Sequence, residues 1–326
     1  MKPLGQLLIA CLASLAGYFL LFGFVVSRPL VVNTNGEMFD AKIAYVAGAR
    51  SPKMAIIAGS NGRFSHSCAV MEKRFGRPCA NLSVSADVGL DWITDQARRY
   101  LGRGDIVYLP LEYSFYSKSR QTIYTGSDAA YRFRYDKSGL LGRGAEGAVR
   151  AMFMFDVGTL VQSVGEMGLH AAGIHRRAGA ADINVQGDEI HHGDLEAAPY
   201  ADLVRHMSYG PVVQSGLMDN PDGAQAILVD FLEWCHANGV IAVGGLPTSF
   251  DDVPVPDSVV ATLSAFYHSH GAQFVALPNR SLYPRADFFD TPEHLRDGVQ
   301  IAHTKKVAAA LDPIWRPVIA GATSRP

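Results

Sequence analysis

The stretch from Lys53 to Gly62 reads KMAIIAGSNG, and its reading decides the fold. Lys53–Ala58 is a short, continuous apolar run with no polar alternation. That pattern belongs to a strand buried on both faces, as in a parallel sheet. The run stops at Gly59. Phe64–Phe75 then has helical spacing and ends at Gly76, with Pro78 beyond as a breaker. Strand, glycine-rich turn, helix is one half of a βαβ unit.

Outward from this unit the same pattern recurs. Cys79–Val84 reads as a second strand and Leu90–Leu101 as a helix closed by Gly102. Asp105–Leu111 (DIVYLPL) is a third strand. Ala224–Ala237 is a helix followed by Gly239, and Val240–Leu246 a fourth strand. Ser258–His268 is a helix, Gln273–Leu277 a fifth strand and Gly298–Leu311 the closing helix. Apolar strands alternating with helices predict an α/β fold with a five-stranded parallel sheet, covered on both faces. Ligands of such sheets sit outside the carboxyl ends of the strands. The residues that follow the strands are therefore the ones to search: Ser60, Ser85, Glu112, Thr248 and the stretch after Leu277.

Before the first strand, Leu7–Val26 is apolar over the length, about 20 residues, that a helix needs to cross a bilayer. The h-region of a cleaved signal peptide is shorter, about 7–15 residues. Lys2 before the run favours an inside amino terminus. Residues 1–27 thus read as a signal anchor, with a long cleaved signal peptide as the rival. Residues 28–51 read as a stalk and 52–326 as an α/β body on the extracytoplasmic side of an inner or plasma membrane, in a periplasm-like space. Between the third and fourth strands lies an insertion at about 116–220. A connection this long is normally functional or lid-like, and we expect a mainly helical cover over the strand ends near Ser60. Its apolar stretch near Ala148–Leu169 has the character to rest against a membrane surface.

The 326 residues are 48% hydrophobic and 18% charged, with a net charge of -2. No basic stripe is available to neutralise phosphates, which argues against nucleic acid as a partner. Cys11 lies within the apolar run. Cys68, Cys79 and Cys235 form no close CxxC pair, so a zinc site is not indicated. Cys68 and Cys79 either form a short-loop disulfide or remain buried thiols. His191 and His192, with Asp188 and Asp194, have the chemistry of metal ligands, but adjacent histidines on a strand point to opposite faces. No metal is expected.

Two places carry chemistry. Ser60 follows a buried strand, is flanked by Gly59 and by Asn61-Gly62, and opens a helix. The glycines permit tight backbone geometry, and free N–H groups at the helix start can hold an oxyanion. Such a serine is either a nucleophile or a helix cap. The sequence FFDTPEHL, Phe288–Leu295, lies between the last strand and the last helix. There His294 has the place of a general base and Asp290 that of its orienting acid. Both places fall at the same edge of one parallel sheet.

With Gly-Ser near the start and Asp-Thr-Pro-Glu-His-Leu near the end, the chain resembles the SGNH/GDSL hydrolases. Within them it is similar to the branch with DltD-like and alginate O-acetylation proteins. The resemblance covers about 53–115 and 238–312. It implies a three-layer α/β/α sandwich and acyl transfer or ester hydrolysis through a seryl ester on Ser60, with no organic cofactor. The family's usual Gly-Asp-Ser is Gly59-Ser60-Asn61 here, and its Asp-x-x-His is one residue longer, which leaves Asp287 as an alternative orienting acid. No Gly-x-Asn-Asp block follows the third strand. Asn61, Gly62, Asn81, Ser85 and Gly89 are the candidates for oxyanion or substrate binding, and Glu112 either holds substrate or pairs with an arginine. The implied function is a serine-dependent acyltransferase or esterase acting on a cell-envelope glycan or exported polysaccharide. Its partners would be the glycan acceptor and, beside the membrane, an acyl-donor protein. The alternative is a non-catalytic glycan-binding or assembly protein that keeps the fold.

Overall fold

In the computed structural model the described residues are 3–26, 35–86, 88–117, 126–138, 144–174, 180–210, 217–218 and 222–323. They form two compact units: residues 1–37 with 123–179, and residues 38–122 with 180–326.

The larger unit is α/β. Its strands are β1 (Met54–Ile56), β2 (Cys79–Asn81), β3 (Ile106–Leu109), β4 (Ile241–Gly245) and, after a short β5 (Ser249–Phe250), β6 (Gln273–Val275). All pairings in the main sheet are parallel, in the order β2-β1-β3-β4-β6. The five expected strands are all present, each shorter than its apolar run. The extra apolar residues continue into the strand ends and remain buried, Ile57 and Ala58 among them. β5 pairs with β7 (Leu282–Tyr283) in a small second sheet that no alternation in the sequence announces.

Helices cover both faces. On one, Met54, Ile56, Ile106, Tyr108 and Val243 pack against Met71 and Phe75 of α4 (Cys68–Phe75) and against Val307, Leu311 and Trp315 of the last helix, α14 (Asp297–Thr323). On the other lie α5 (Leu90–Tyr100) and α12 (Ala224–Asn238), which pack on each other; α6 (Tyr113–Ser117) also packs on α12, and α13 (Asp257–Ser269) on β4 and β6. α14 outruns the expected Gly298–Leu311 and passes through Pro313 and Pro317. Elsewhere the expected helix Phe64–Phe75 is broken. A one-and-a-half-turn α3 (Ser60–Ser65) ends at His66, whose backbone is extended, and α4 starts afresh with Ser67 as its cap. Asp188 completes that cap by accepting hydrogen bonds from Cys68 N, Ala69 N and Ser67 Oγ. The disulfide alternative is realised: Cys68 and Cys79 are bonded, their Cα atoms 5.0 Å apart, which ties the start of α4 to the start of β2.

The stalk expectation is corrected from residue 35 onward; 27–34 lie outside the described residues. Asn35–Gly48 is a helix, α2. Its Met38, Phe39, Lys42 and Val46 are buried. Phe39 packs on Trp92 at 4.8 Å. Lys42 Nζ donates to the carbonyls of Asn81, Ser83 and Gly187, so this buried cation fastens α2 to the end of β2. Burial pulls its pKa down to about 7.

The smaller unit contains α1 (Pro3–Val26), long and apolar enough to cross a membrane, together with α7 (Gly126–Tyr135), α8 (Gly144–Met152) and α9 (Val157–Ala171). Phe22 and Val25 of α1 are buried with Ala129, Ala151, Phe155 and Leu160. The insertion expected as one body over 116–220 is therefore divided. Its 123–179 part groups with α1, and its part from Ala180 onward belongs to the α/β unit. That later part includes two short helices, α10 (Asp194–Ala197) and α11 (Ala201–His206).

Candidate active site at the carboxyl edge of the sheet

The order β2-β1-β3 reverses direction between β1 and β3, and such a switch point opens a crevice at the carboxyl ends. Ser60 follows β1 there, and Glu112 follows β3. Glu112 is fully buried. Its Oε2 accepts from Gly59 N and its Oε1 from Asn61 N, both at 2.9 Å. The carboxylate therefore clamps the two peptides on either side of Ser60. Burial pushes the Glu112 carboxyl up, against the lowering effect of the Asn61 and Gly59 N–H groups and of His294 nearby.

This clamp corrects two expectations. Glu112 pairs with backbone rather than with an arginine, and the N–H groups of Gly59 and Asn61 are not available to an oxyanion. Ser60 N lies between them and makes no hydrogen bond among the described residues. Neither does the half-exposed Ser60 side chain.

Asn61 is likewise a strut. It is fully buried; its Nδ2 donates to Pro110 O at 2.7 Å, and its Oδ1 accepts from Thr248 N and Thr248 Oγ1. It thereby joins the ends of β1, β3 and β4. A β-carbon on Gly62 would lie 2.7 Å from Ser83 Cβ and 2.9 Å from Ala58 Cβ, so only glycine fits. Asn81 is buried and donates to Gly62 O, His66 O and Asp188 Oδ1. Gly89 caps α5 and is buried. Of the expected oxyanion or substrate contacts, Ser85 alone stays half-exposed, on the segment whose next residue, Ala86, backs onto Gly59.

His294 reaches this place by a route the sequence does not display. Phe288 and Leu295 form an antiparallel bridge, and Phe289 N donates to His294 O at 2.7 Å. The segment is a closed loop, and across it His294 Nδ1 meets Asp290 Oδ1 at 2.6 Å. Asp290 is thus the carboxylate on the ring. Asp287 sits in the preceding 3-10 turn, where its backbone N–H bonds Pro284 O. The loop is fastened to α3 by Ser65, whose Oγ donates to Glu293 O at 2.8 Å, lies 2.8 Å from Thr248 Oγ1 and accepts from Leu295 N. Both neighbours of His294 are thereby held.

The imidazole stacks on Phe64, ring centroids 4.1 Å apart and planes 15° from parallel. Phe64 is four residues beyond Ser60 on α3, and residues so spaced share a helix face, about 5–6 Å apart at Cβ. The stacked ring therefore lies on the face of α3 that also bears Ser60. The expected hydrogen bond between Ser60 Oγ and His294 is not formed; among the described residues the ring's one hydrogen-bond partner is Asp290.

Further aromatic groups surround Phe64: His192 edge-on at 5.6 Å, Phe289 stacked at 5.8 Å, and the Arg63 guanidinium at 4.8 Å. Arg63 pairs with Glu189. His192 and Glu189 come from the later part of the insertion. Burial first, then His294 and Arg63, pull His192 down to about 4, which keeps it neutral. Neither His192 nitrogen has a partner among the described residues. Asp188, which the sequence groups with these histidines as metal-ligating chemistry, spends its oxygens on the α4 cap, and among the described residues no cluster suited to a metal ion occurs.

Sequence reading passed over Ser65 and left Thr248 without a role. The signal for both is position: a hydroxyl at the end of a short helix and one just past a strand, facing the same crevice. None of the known protein families, curated proteins or solved structures compared with the chain matches it.

Proposed function

We infer that the protein is a membrane-anchored serine acyltransferase or esterase with an SGNH-like fold, acting on an envelope glycan or exported polysaccharide. The observation that carries this reading is the His294–Asp290 pair held on the face of α3 that also bears Ser60. On this reading Ser60 Oγ must reach the imidazole in the reacting complex, and such contacts are often long without substrate. In the reaction, Ser60 Oγ attacks the acyl carbonyl and its proton passes to His294 Nε2. The bond to the donor's oxygen breaks, and that oxygen takes the proton from His294. An acceptor hydroxyl, or water, then gives its proton to His294 and attacks the seryl ester; Ser60 leaves and recovers the proton. Asp290 holds the ring with Nδ1–H toward it. Ser60 N–H, unengaged between two clamped peptides, is the donor placed for the oxyanion. The glycan acceptor and the membrane acyl donor are carried by the family resemblance and by the apolar α1.

The test is turnover of p-nitrophenyl acetate, and of an acetylated glycan, by the full chain in detergent. Ser60→Ala and His294→Ala are each expected to reduce turnover by at least about 10³-fold, and the double variant to be scarcely worse, because members of one unit are not additive. Wild-type turnover in Ser60→Ala overturns the reading. The absence of measurable turnover in the wild type favours the glycan-binding alternative, for which the unformed Ser60–His294 bond is the specific support.

A further inference from the structure

One face of α9 is apolar, exposed and, among the described residues, uncovered. Val157, Val161, Val164 and Gly168 recur at helical spacing along it. The three valines are 58%, 58% and 37% exposed. The neighbouring face of the same helix is packed: Leu160 is fully buried and Ser163 nearly so. The polar residues, Gln162 and Glu166, bond each other on the side away from the stripe. Phe153 and Val149, just before α9, are also about half exposed.

This unit is fastened to α1 at a particular height. Tyr18 Oη donates to the carbonyls of Met152 and Phe155. The Tyr18 ring stacks on Phe153 at 5.2 Å, and Phe22 packs on Phe133 and Phe155. The seam on α1 therefore begins at Tyr18. Between the charge of Lys2 and Tyr18, the apolar Pro3–Gly17 rises about 22 Å at 1.5 Å per residue, short of the hydrocarbon core of about 30 Å. If α1 spans a bilayer, the missing length, about 8 Å, must come from the part of α1 already packed against α7, α8 and α9. An interfacial helix buries its apolar face to a depth of about 5–10 Å. The two depths coincide.

We propose that α9 is a second membrane-seated element, with the Val157–Val161–Val164–Gly168 stripe lying in the hydrocarbon edge of the leaflet at the carboxyl end of α1. The occupant of the stripe is lipid acyl chain. The packing of α9 against α1, whose residues ahead of Tyr18 are apolar and exposed, and the length deficit both assign it. On this length Phe22, about 8 Å beyond Gly17, falls at the edge of the hydrocarbon core. The proposal rests on the reading of α1 as a membrane span and is independent of the ester chemistry.

The test uses single labels on the full chain in phosphatidylcholine–phosphatidylglycerol vesicles. Cys11 is the exposed free thiol among the described residues, Cys235 is buried and the other two cysteines are bonded. A label on native Cys11 therefore reports α1. In a Cys11→Ser background, Val157→Cys, Val161→Cys and Val164→Cys report the stripe, and Gln162→Cys the polar side. A polarity-sensitive fluorophore is read with acyl-brominated lipid and with aqueous iodide as quenchers. The expected result is lipid quenching at Cys11 and at the stripe, at least about threefold stronger than at Gln162→Cys, which iodide quenches instead. Lipid quenching at Cys11 with iodide quenching along the stripe overturns the proposal and leaves α1 as the anchor. Absence of lipid quenching at both overturns the proposal together with the anchor. A stripe shielded from both quenchers, with Val161→Cys cross-linking between chains, assigns the face to a second copy and overturns it as well.

Discussion

At Gly59 a β-carbon would fall 2.7 Å from Ala86 N and against the Glu112 carboxylate. The residue before the candidate nucleophile is therefore glycine for want of space. Glu112 stands where it can take both flanking N–H groups because β3 runs beside β1 and ends at the same level. Glu112→Gln keeps the shape but presents an amide NH₂ to one of these N–H groups. A lost, unsatisfied buried donor costs about 1–3 kcal/mol, so we expect a clearly lower melting temperature, read by thermal denaturation. Turnover should fall further than stability alone explains, with the loss in kcat rather than KM, because the peptides around Ser60 are no longer clamped. Gly62→Ala is expected to cost about 1–3 kcal/mol by overpacking against Ser83 and Ala58; denaturant unfolding checks it, and a neutral result removes the close-approach account.

Between elements, short polar contacts do the aligning. Ser65, Thr248 and Glu293 join α3, the end of β4 and the His294 loop through bonds of 2.8–3.2 Å. Behind them, α3 and α14 meet through two buried imidazoles. Tyr283 Oη lies 2.9 Å from His303 Nδ1, and His303 Nε2 lies 3.2 Å from His66 Nε2. Burial lowers His66 to about 3, and burial with His66 beside it lowers His303 well below the ordinary histidine range. Both are neutral in the fold, whereas the unfolded chain protonates near pH 6.5. The unfolded state then binds more protons between about pH 6.5 and 3, so stability falls as pH is lowered through that window. The slope is about 1.4 kcal/mol per pH unit for each such group. Melting temperatures from pH 7 to 4 should show this decline, and His66→Gln should flatten it. The Cys68–Cys79 bond closes a loop with a sequence separation of 11. Replacing both by alanine should cost about 2–4 kcal/mol, seen as a midpoint shift in urea that reductant reproduces in the wild type.

In the whole molecule, α1 and part of the insertion form one unit. Phe22 is 6% and Val25 0% exposed, and Tyr18 is bonded to the α8–α9 corner. Removing α1 would bare Ala129, Ala151, Phe155 and Leu160. We therefore expect the protein to keep residues 1–26, and its intact mass after purification from membranes to include them. A mass corresponding to cleavage after Val26 would favour the signal-peptide reading. A chain made without α1 should aggregate, by light scattering, while the full chain in detergent stays monodisperse.

The sheet was legible because burial of its central strands on both faces leaves little polar alternation, so Met54–Ala58 and Val240–Leu246 show as apolar runs ended by Gly59 and Pro247. The place of Ser60 followed from that, since a parallel strand delivers the residue that follows it to the carboxyl edge; that of His294 did not, because a bridged loop well past the last strand of the main sheet carries it. The apolar length of α1 was equally plain. Sequence did not show that Asn61, Asn81 and Glu112 spend their polar groups on backbone, because a residue's type does not reveal which neighbour takes its hydrogen bonds. It did not divide the insertion, or convert the stalk into a helix pinned by Lys42, because those depend on contacts between residues distant in the chain. The stacking of His294 on Phe64 is likewise a tertiary decision: α3 and the His294 loop, about 230 residues apart, meet only when β1 and the last loop are set side by side by the order of the strands.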